Sequence, residues 1–172
     1  VSGDVTDAAL VSDSTQCLIK STDWVSGCSL ILDLSRFIVR PWFDERIFLY
    51  YEDAEFCLRM RKHGLRTHLI CDFLVTHQVS AVASRRPLFT KRCATFGKLY
   101  TLFRHATPFA IFLNLFYLPL IPVLHRKPFY ELKGCLLGIG DFLLWLFNDV
   151  VARLNRTYSD HLATDSRGSS CP

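Results

Sequence analysis

Paired cysteine motifs are absent from this 172-residue chain. It has seven cysteines, an odd number, and no two of them stand in a Cys-x-x-Cys arrangement. A disulfide framework and a structural zinc site are therefore not expected, because both need cysteines that pair or cluster. We predict free thiols, most of them buried, in a reducing compartment.

A signal-peptide pattern is also absent, since no basic start is followed by an apolar run. The sequence begins with Val1 rather than Met. We interpret it as a fragment, a processed chain or an incomplete gene model.

Acidic residues are missing between Asp72 and Glu131. Eight basic residues lie in that interval: Arg85, Arg86, Lys91, Arg92, Lys98, Arg104, Arg126 and Lys127. A basic belt beside an apolar stretch favours an anionic membrane surface or a phosphate-bearing partner. A solvated basic helix face is the alternative. We expect no nucleic-acid partner.

The apolar stretches are the most hydrophobic part of the chain. Residues 85–105 have the pattern of a basic amphipathic helix, and residues 106–124 carry no charge. Three prolines and Asn114 interrupt the second segment, and Asp141 lies in a further apolar run, residues 136–147. Helices that lie in the membrane interface or dip into it fit this pattern, and true spanning is the alternative. Residues 157–172 are predicted to be a disordered tail.

The first half has the pattern of an ordinary globular α/β domain. Residues 24–33 are predicted to be a buried strand, residues 53–63 a helix, and residues 66–71 and 73–77 two further strands. This order indicates an α/β fold. The chain is thus divided into residues 1–84 (α/β), residues 85–156 (membrane-associated helices) and residues 157–172 (tail).

Three carboxylates, Glu52, Asp53 and Glu55, lie at the start of the predicted helix. Acids are favourable there for purely structural reasons, because the helix dipole and its open N–H groups attract negative charge. The functional interpretation is that one carboxylate acts as a general base on an acceptor hydroxyl.

Other candidate residues also have two interpretations. His77, at the end of a predicted strand, is either a hydrogen-bonded structural residue or a ligand of a divalent metal that holds a diphosphate. Trp24 is either a core residue or a platform for a sugar ring. Gly27 either kinks a strand or lets a ligand approach the backbone.

Four blocks in order resemble the family 2 inverting glycosyltransferases. They are residues 23–30 (DWVSGCSL), residues 43–46 (FDER), residues 48–59 (FLYYEDAEFCLR) and the strand that ends at His77. Members typically have W-v-s-G-a, F-D-E-r-f-f, y-E-D-x-D-l-c-x-R-x-x-x-x-G and a later H; Arg59 and Gly64 keep this spacing. The rhamnosyltransferase-like and galactofuranosyltransferase-like branch is the most similar.

The resemblance implies the C-terminal part of a GT-A fold that uses a nucleotide-diphospho-sugar donor and Mg²⁺ or Mn²⁺. It implies transfer with inversion to a glycan or lipid-linked acceptor in cell-envelope polysaccharide synthesis, at the cytoplasmic face of the cell membrane. The roles that it implies are the catalytic base (Asp53), placement of the base or acceptor (Glu52), the metal or diphosphate ligand (His77) and substrate binding (Trp24, Ser26, Gly27 and Arg59).

The sequence departs from the family pattern at three points. Glu55 stands where an Asp is usual, Gln78-Val79-Ser80 replaces glycines after the histidine, and no Asp-x-Asp motif is present. We therefore expect these 172 residues alone to be inactive. One alternative is a non-catalytic membrane-peripheral binding module. Another is a metal-dependent hydrolase, but this sequence lacks the dense His and Asp clusters that such sites need.

Overall fold

Helices make up most of the described structure, a computed structural model that describes residues 18–38, 41–72, 75–76 and 85–168, with side chains as far as Thr157. The elements in order are β1 (Ile19–Thr22), two 3-10 turns (Gly27–Ser29 and Leu34–Arg36), α1 (Glu52–Lys62), β2 (Thr67–Ile70), α2 (Pro87–His105), α3 (Pro108–Leu124) and α4 (Phe129–Gly168).

The two strands form an antiparallel pair, with Ile19 opposite Ile70 and Thr22 opposite Thr67. The Asp72 carboxylate extends this pairing by accepting a hydrogen bond of 3.1 Å from the Leu18 N–H. The predicted strand at residues 66–71 is thereby confirmed. Of the strand predicted at 73–77, only residues 75–76 are described, so that prediction lies largely outside the described residues.

The predicted buried strand at residues 24–33 is wrong. The segment is mostly exposed and contains the turn Gly27–Ser29 instead. Local side-chain bonds explain the difference: Ser26 Oγ accepts from the Cys28 N–H, and Asp33 Oδ1 accepts from the Ser35 N–H. Such bonds compete with a strand ladder. Among the described residues, β1 and β2 pair only with each other, so no third strand is available as a neighbour.

The helix predicted at residues 53–63 is confirmed to within one residue at each end. Gly64 ends it at φ 82°, a left-handed conformation that glycine adopts without strain. The Gly64 and Leu65 N–H groups bond back to the carbonyls of Arg61 and Met60, at 3.0 and 3.1 Å. These bonds satisfy carbonyls that the helix end leaves open.

The three later helices form a bundle around Leu99, Leu118 and Phe142. Thr107 caps α3 by accepting a hydrogen bond from the Ala110 N–H, and Pro108 occupies the first helical turn. Both residue types are favoured at these positions. The Asn114 side chain donates to the Ala110 carbonyl at 2.8 Å, so the polar group inside this apolar helix is satisfied. The helices predicted at 85–105 and 106–124 are confirmed to within two residues.

α2 and α4 approach each other closely along two glycines of α4. A Cβ atom on Gly134 would lie 2.7 Å from Lys91 Cβ, and one on Gly138 would lie 2.5 Å from the Arg92 carbonyl oxygen. The Arg92 guanidinium also donates two hydrogen bonds to the Asp141 carboxylate, one of them of 2.6 Å. The acid in the middle of the apolar run is therefore paired with a basic residue of α2.

An apolar surface on α3 and α4 is left uncovered. Its larger members are Phe109, Phe112, Phe116 and Tyr117 on α3, and Leu136, Leu144, Phe147 and Leu154 on α4. In the part of the chain that the structure describes, one helix is long and apolar enough to cross a membrane, at Phe129–Thr157. The backbone of α4 is helical as far as Gly168, where the sequence predicted a disordered tail from residue 157.

The five cysteines in the described segments are free, as predicted. Cys57 and Cys135 are buried, but Cys28 and Cys71 are exposed, so the prediction that most thiols are buried is wrong for these segments. The α/β prediction for residues 1–84 stays a prediction, because residues 1–17 and 77–84 lie outside the described ranges.

Candidate active site

The candidate site is built on the first turn of α1, where the three acids lie together. Asp53 is the first residue of the predicted helix, residues 53–63, and its residue type is favoured at an N-terminal cap. The structure places Tyr51 at the cap position instead, at φ 74° and without a side-chain capping bond. Asp53 lies one residue inside the helix, and its Oδ1 atom accepts a 2.7 Å hydrogen bond from the Ala54 N–H. The acids are therefore well placed for the helix dipole.

Asp53 contacts the glycine segment that the sequence singled out. Its Oδ2 atom accepts a 2.8 Å hydrogen bond from the Gly27 N–H, which joins positions 26 residues apart. The two bonds to Asp53 use only part of the acceptor capacity of a carboxylate. The group is half-buried, so it is held in place and keeps free lone pairs. It is thus positioned to accept a proton.

Glu52 lies beside Asp53 and is held less firmly. Its Oε2 atom is buried and has no hydrogen-bond partner among the described residues. An unpaired buried polar atom costs roughly 1–3 kcal/mol. Within the described structure, Glu52 therefore has a carboxylate oxygen without any hydrogen bond, whereas each oxygen of Asp53 accepts one.

Glu55 is fully buried and bonded to other side chains of the protein, so its role is structural. Its side chain is 0% exposed and binds Arg59 Nε at 3.1 and 3.2 Å and His105 Nε2 at 3.4 Å. Burial alone would raise the pKa of Glu55, but the hydrogen bonds and charges of His105 and Arg59 outweigh it and lower the pKa. Glu55 thus joins α1 to the end of α2 through its hydrogen bonds and charge.

The Arg59 guanidinium, predicted to bind substrate, has partners within the protein. Besides Glu55, it donates a 2.6 Å hydrogen bond to the Trp42 carbonyl and lies 5.2 Å from the centre of the Trp42 ring. Through these contacts the Arg59 guanidinium holds the loop before α1 against the helix. Its binding of substrate stays a prediction.

Of the remaining predicted site residues, Trp24 and Ser26 are described by the structure and His77 is not. Ser26 adjoins Gly27, and Trp24 is 50% exposed, so both are accessible. His77 lies outside the described residues, as do the residues that follow it to position 84. Within the described ranges, no group of three His, Cys, Asp or Glu side chains is arranged to hold a metal ion.

Sequence reasoning missed a second network, which joins the FDER block to α2. The Tyr100 hydroxyl donates to Asp44 Oδ2 at 2.7 Å, and Arg46 Nη1 donates to the Tyr100 oxygen at 3.1 Å. Burial, followed by the bond to Asp44, raises the pKa of Tyr100. The signal available in the sequence was a lone tyrosine in an amphipathic helix, which does not identify a partner 56 residues away.

The segment just before Glu52 is packed tightly against α2. Tyr50 and Tyr51 both have positive φ, 64° and 74°. A Cβ atom on Gly97 would lie only 2.4 Å from the Tyr50 carbonyl oxygen. Left-handed backbone at a non-glycine residue costs of order 1–3 kcal/mol and concentrates at functional sites. α2 therefore fixes the backbone that leads into the acids.

Comparison with known proteins gives one partial similarity. The rhamnosyltransferase WbbL of Escherichia coli (strain K12) is 33% identical over 69 residues, which is 40% of this chain and 25% of that protein. The chain thus matches about a quarter of the length of this curated relative. No family model and no solved structure matches the chain. The similarity suggests a glycosyltransferase-like function.

Proposed function

We propose that this chain is the C-terminal part of the catalytic domain of an inverting glycosyltransferase with a GT-A fold. It would transfer a sugar from a nucleotide-diphospho-sugar to a glycan or lipid-linked acceptor in cell-envelope polysaccharide synthesis. The observation that carries the proposal is the Asp53–Gly27 hydrogen bond of 2.8 Å. It joins two of the sequence blocks that resemble family 2, and the partial similarity to a rhamnosyltransferase supports the same class.

In this mechanism Asp53 is the general base. Its carboxylate removes the proton of an acceptor hydroxyl while that oxygen attacks the anomeric carbon from the face opposite the diphosphate. The sugar–diphosphate bond breaks as the new bond forms, so the configuration inverts. The hydrogen bond from the Gly27 N–H orients the carboxylate. Glu52, the neighbouring acid in the first turn of α1, is the residue proposed to place the base or the acceptor.

Mg²⁺ or Mn²⁺ is the ion that the resemblance implies. The acids of α1 do not supply a complete ligand set, because Glu55 is occupied by Arg59 and His105 and the described ranges hold no three-ligand cluster. His77, the proposed ligand, lies outside those ranges. The described residues therefore do not form a complete site for the ion.

The proposed location is the cytoplasmic face of the cell membrane. One apolar helix of sufficient length and the uncovered apolar surface of α3 and α4 support association with a bilayer. A lipid-linked acceptor would be held at the same surface.

The test is sugar transfer by the full-length gene product that contains these residues. Asp53→Asn is expected to lower the transfer rate by roughly 100-fold or more, because the base is lost. Donor binding should stay near the wild-type level, since the base contacts the acceptor. Asp149→Asn is the matched control, because Asp149 pairs only with Arg153 on the surface of α4 among the described contacts. A mutant at position 53 that kept most of its rate would contradict the assignment.

A second candidate function is a non-catalytic membrane-peripheral module. The uncovered apolar surface favours it without requiring any chemistry at Asp53. A full-length product that binds vesicles but transfers no sugar from any nucleotide-diphospho-sugar tested would support this candidate over the enzyme.

A further inference from the structure

An open cavity of about 360 Å³ lies next to the acids of α1. Three elements form it: the segment before α1, the first turns of α2 and the start of α4. Its side chains include Tyr50, Tyr51, Thr90, Lys91, Tyr130 and Glu131. The volume falls in the range of roughly 300–1,000 Å³ that is usual for small-molecule sites.

The lining is suited to a neutral polyol. Three tyrosines offer apolar ring faces with hydroxyl groups at their ends. Sugar rings present C–H groups on one face and hydroxyls at the rim, so both parts of such a ligand find complementary groups. Pockets of this type combine mostly aromatic lining with a few polar groups that fix orientation.

The charges of the cavity compensate each other. Lys91 Nζ lies 3.4 Å from Glu131 Oε2, and both side chains are half-buried. An ammonium and a carboxylate side by side can donate to and accept from neighbouring hydroxyls of one sugar. The carboxylate disfavours an anion, which argues against the donor diphosphate as the occupant.

One polar group of the lining has an unused hydrogen-bonding capacity. Thr90 Oγ1 is buried and has no partner among the described residues. Leaving such a group unpaired costs free energy that a ligand can recover. The hydroxyl is therefore a polar group of the lining, besides the Lys91–Glu131 pair, whose hydrogen-bonding capacity is not used among the described residues.

The cavity adjoins the proposed base through Tyr51. This residue lines the cavity and directly precedes α1. Burial, and after it the negative charge of Asp53, raises the pKa of Tyr51. Gly97 of α2 lies against the Tyr50-Tyr51 backbone, where both residues have positive φ. Tyr51 thus connects the wall of the cavity to the first turn of α1, which carries the proposed base.

We propose that this cavity binds a sugar ring of the acceptor glycan. The inference rests on the proposed function, because it assigns the cavity to the acceptor of that reaction. The occupant is a neutral saccharide, and the Lys91–Glu131 pair and the Thr90 hydroxyl determine which hydroxyl pattern is accepted.

The test is binding of a panel of methyl glycosides and disaccharides to the full-length gene product, measured by saturation-transfer NMR without donor. Tyr130→Ala and Thr90→Val are expected to weaken binding of the bound saccharide roughly five- to tenfold, through loss of ring contact and of a hydrogen bond.

Matched controls are available within the bundle. Tyr117→Ala removes an exposed tyrosine of α3 that does not line the cavity, and Thr101→Val removes another buried, unpartnered hydroxyl of α2. Both should bind saccharide like the wild type. Thermal unfolding of all four variants identifies any that are misfolded, and for those Tyr130→Phe and Thr90→Ser provide gentler changes.

Two results would overturn the subsite: a wild-type protein that binds no saccharide of the panel, or cavity variants that bind as well as the controls. Failure of the enzyme proposal is separate. If Asp53→Asn retained transfer while the cavity variants lost saccharide binding, the base would be wrong and the subsite would stand.

Discussion

Glu55 shows how a residue inside a sequence block can serve the fold rather than the chemistry. By spacing alone the sequence does not separate it from Glu52 and Asp53, and the assignment of the base to Asp53 comes from the family resemblance. The structure adds a physical difference, because Arg59 and His105 enclose Glu55 while Asp53 faces Gly27. The i,i+4 spacing of Glu55 and Arg59 is visible in the sequence. His105 lies 50 residues away, and no local pattern predicts that contact.

Replacing Glu55 by Gln should therefore lower stability rather than act on chemistry alone. Removing one charge from a buried pair costs about 3 kcal/mol of unfolding free energy. The pKa of Glu55 is lowered below its ordinary value of 4.5. Its contribution is thus full above about pH 4.5 and is lost as the pH falls through the lower, folded-state pKa.

Chemical unfolding at pH 7 and at stepwise lower pH checks this expectation. The gap between wild type and Glu55→Gln should be largest at neutral pH and should narrow in acid. Glu45→Gln, at an exposed position before α1, is the matched control and should change stability little. A gap that widened as the pH fell would show that the charged form of Glu55 does not stabilise the fold.

At the scale of elements, the sequence predicted the helices well and one strand badly. α2 and α3 coincide to within two residues with the basic amphipathic and the uncharged apolar segments of the sequence, whose patterns are local. The sequence analysis treats Pro108 as an interruption, but in the structure it lies in the first turn of α3, where proline is favoured. The predicted strand at residues 24–33 fails because an apolar run needs neighbours, and residue types alone do not show whether neighbours exist. The same holds for the site: Asp53 and Gly27 were each identified, but their contact depends on tertiary structure.

The contact between Gly97 of α2 and the Tyr50-Tyr51 segment leaves no room for a larger residue at position 97. Gly97→Ala would place a methyl group 2.4 Å from the Tyr50 carbonyl oxygen, so the backbone before Glu52 must shift. We expect a loss of about 1–3 kcal/mol in stability and a lower transfer rate in the full-length product, because the acids move with that backbone.

Gly140→Ala is the control for this change. Gly140 lies inside α4 with open space where a Cβ would be placed. Alanine there should raise stability by up to about 1 kcal/mol, since it favours the helix. Denaturant unfolding of both variants measures the difference, and equal stability of the two would refute the close contact at Gly97.

At the scale of the whole molecule, the apolar surface of α3 and α4 is the part of the described structure that would contact the bilayer in the proposed location. Phe112 and Phe116 lie on it, 4.9 Å apart between ring centres, and both are largely exposed. Charged residues of α2 run alongside α4, and Arg126 and Lys127 lie at the turn between α3 and α4. A bundle lying flat on the bilayer keeps these charges at the headgroups, whereas spanning would place Arg92 and Asp141 in hydrocarbon.

Phe112→Ser combined with Phe116→Ser should weaken binding to anionic phospholipid vesicles by tenfold or more, because each exposed ring contributes roughly 1–2 kcal/mol when buried in lipid. Vesicle flotation of the full-length product measures this. Phe48→Ser, an exposed phenylalanine outside α3 and α4, is the control. If the double variant floated as completely as the control, the surface would not be the membrane contact.

The pairing of Arg92 with Asp141 also affects on which side of a membrane the two ends of α4 would lie. Hydropathy alone would count α4 as a crossing and would place its two ends on opposite sides of the bilayer. With Asp141 fastened to a helix that carries Lys91, Arg92 and Lys98, α4 lies along the surface in the proposed orientation. Both of its ends then share one compartment with Asp53, and under the proposed function this is the compartment from which the sugar nucleotide reaches the site.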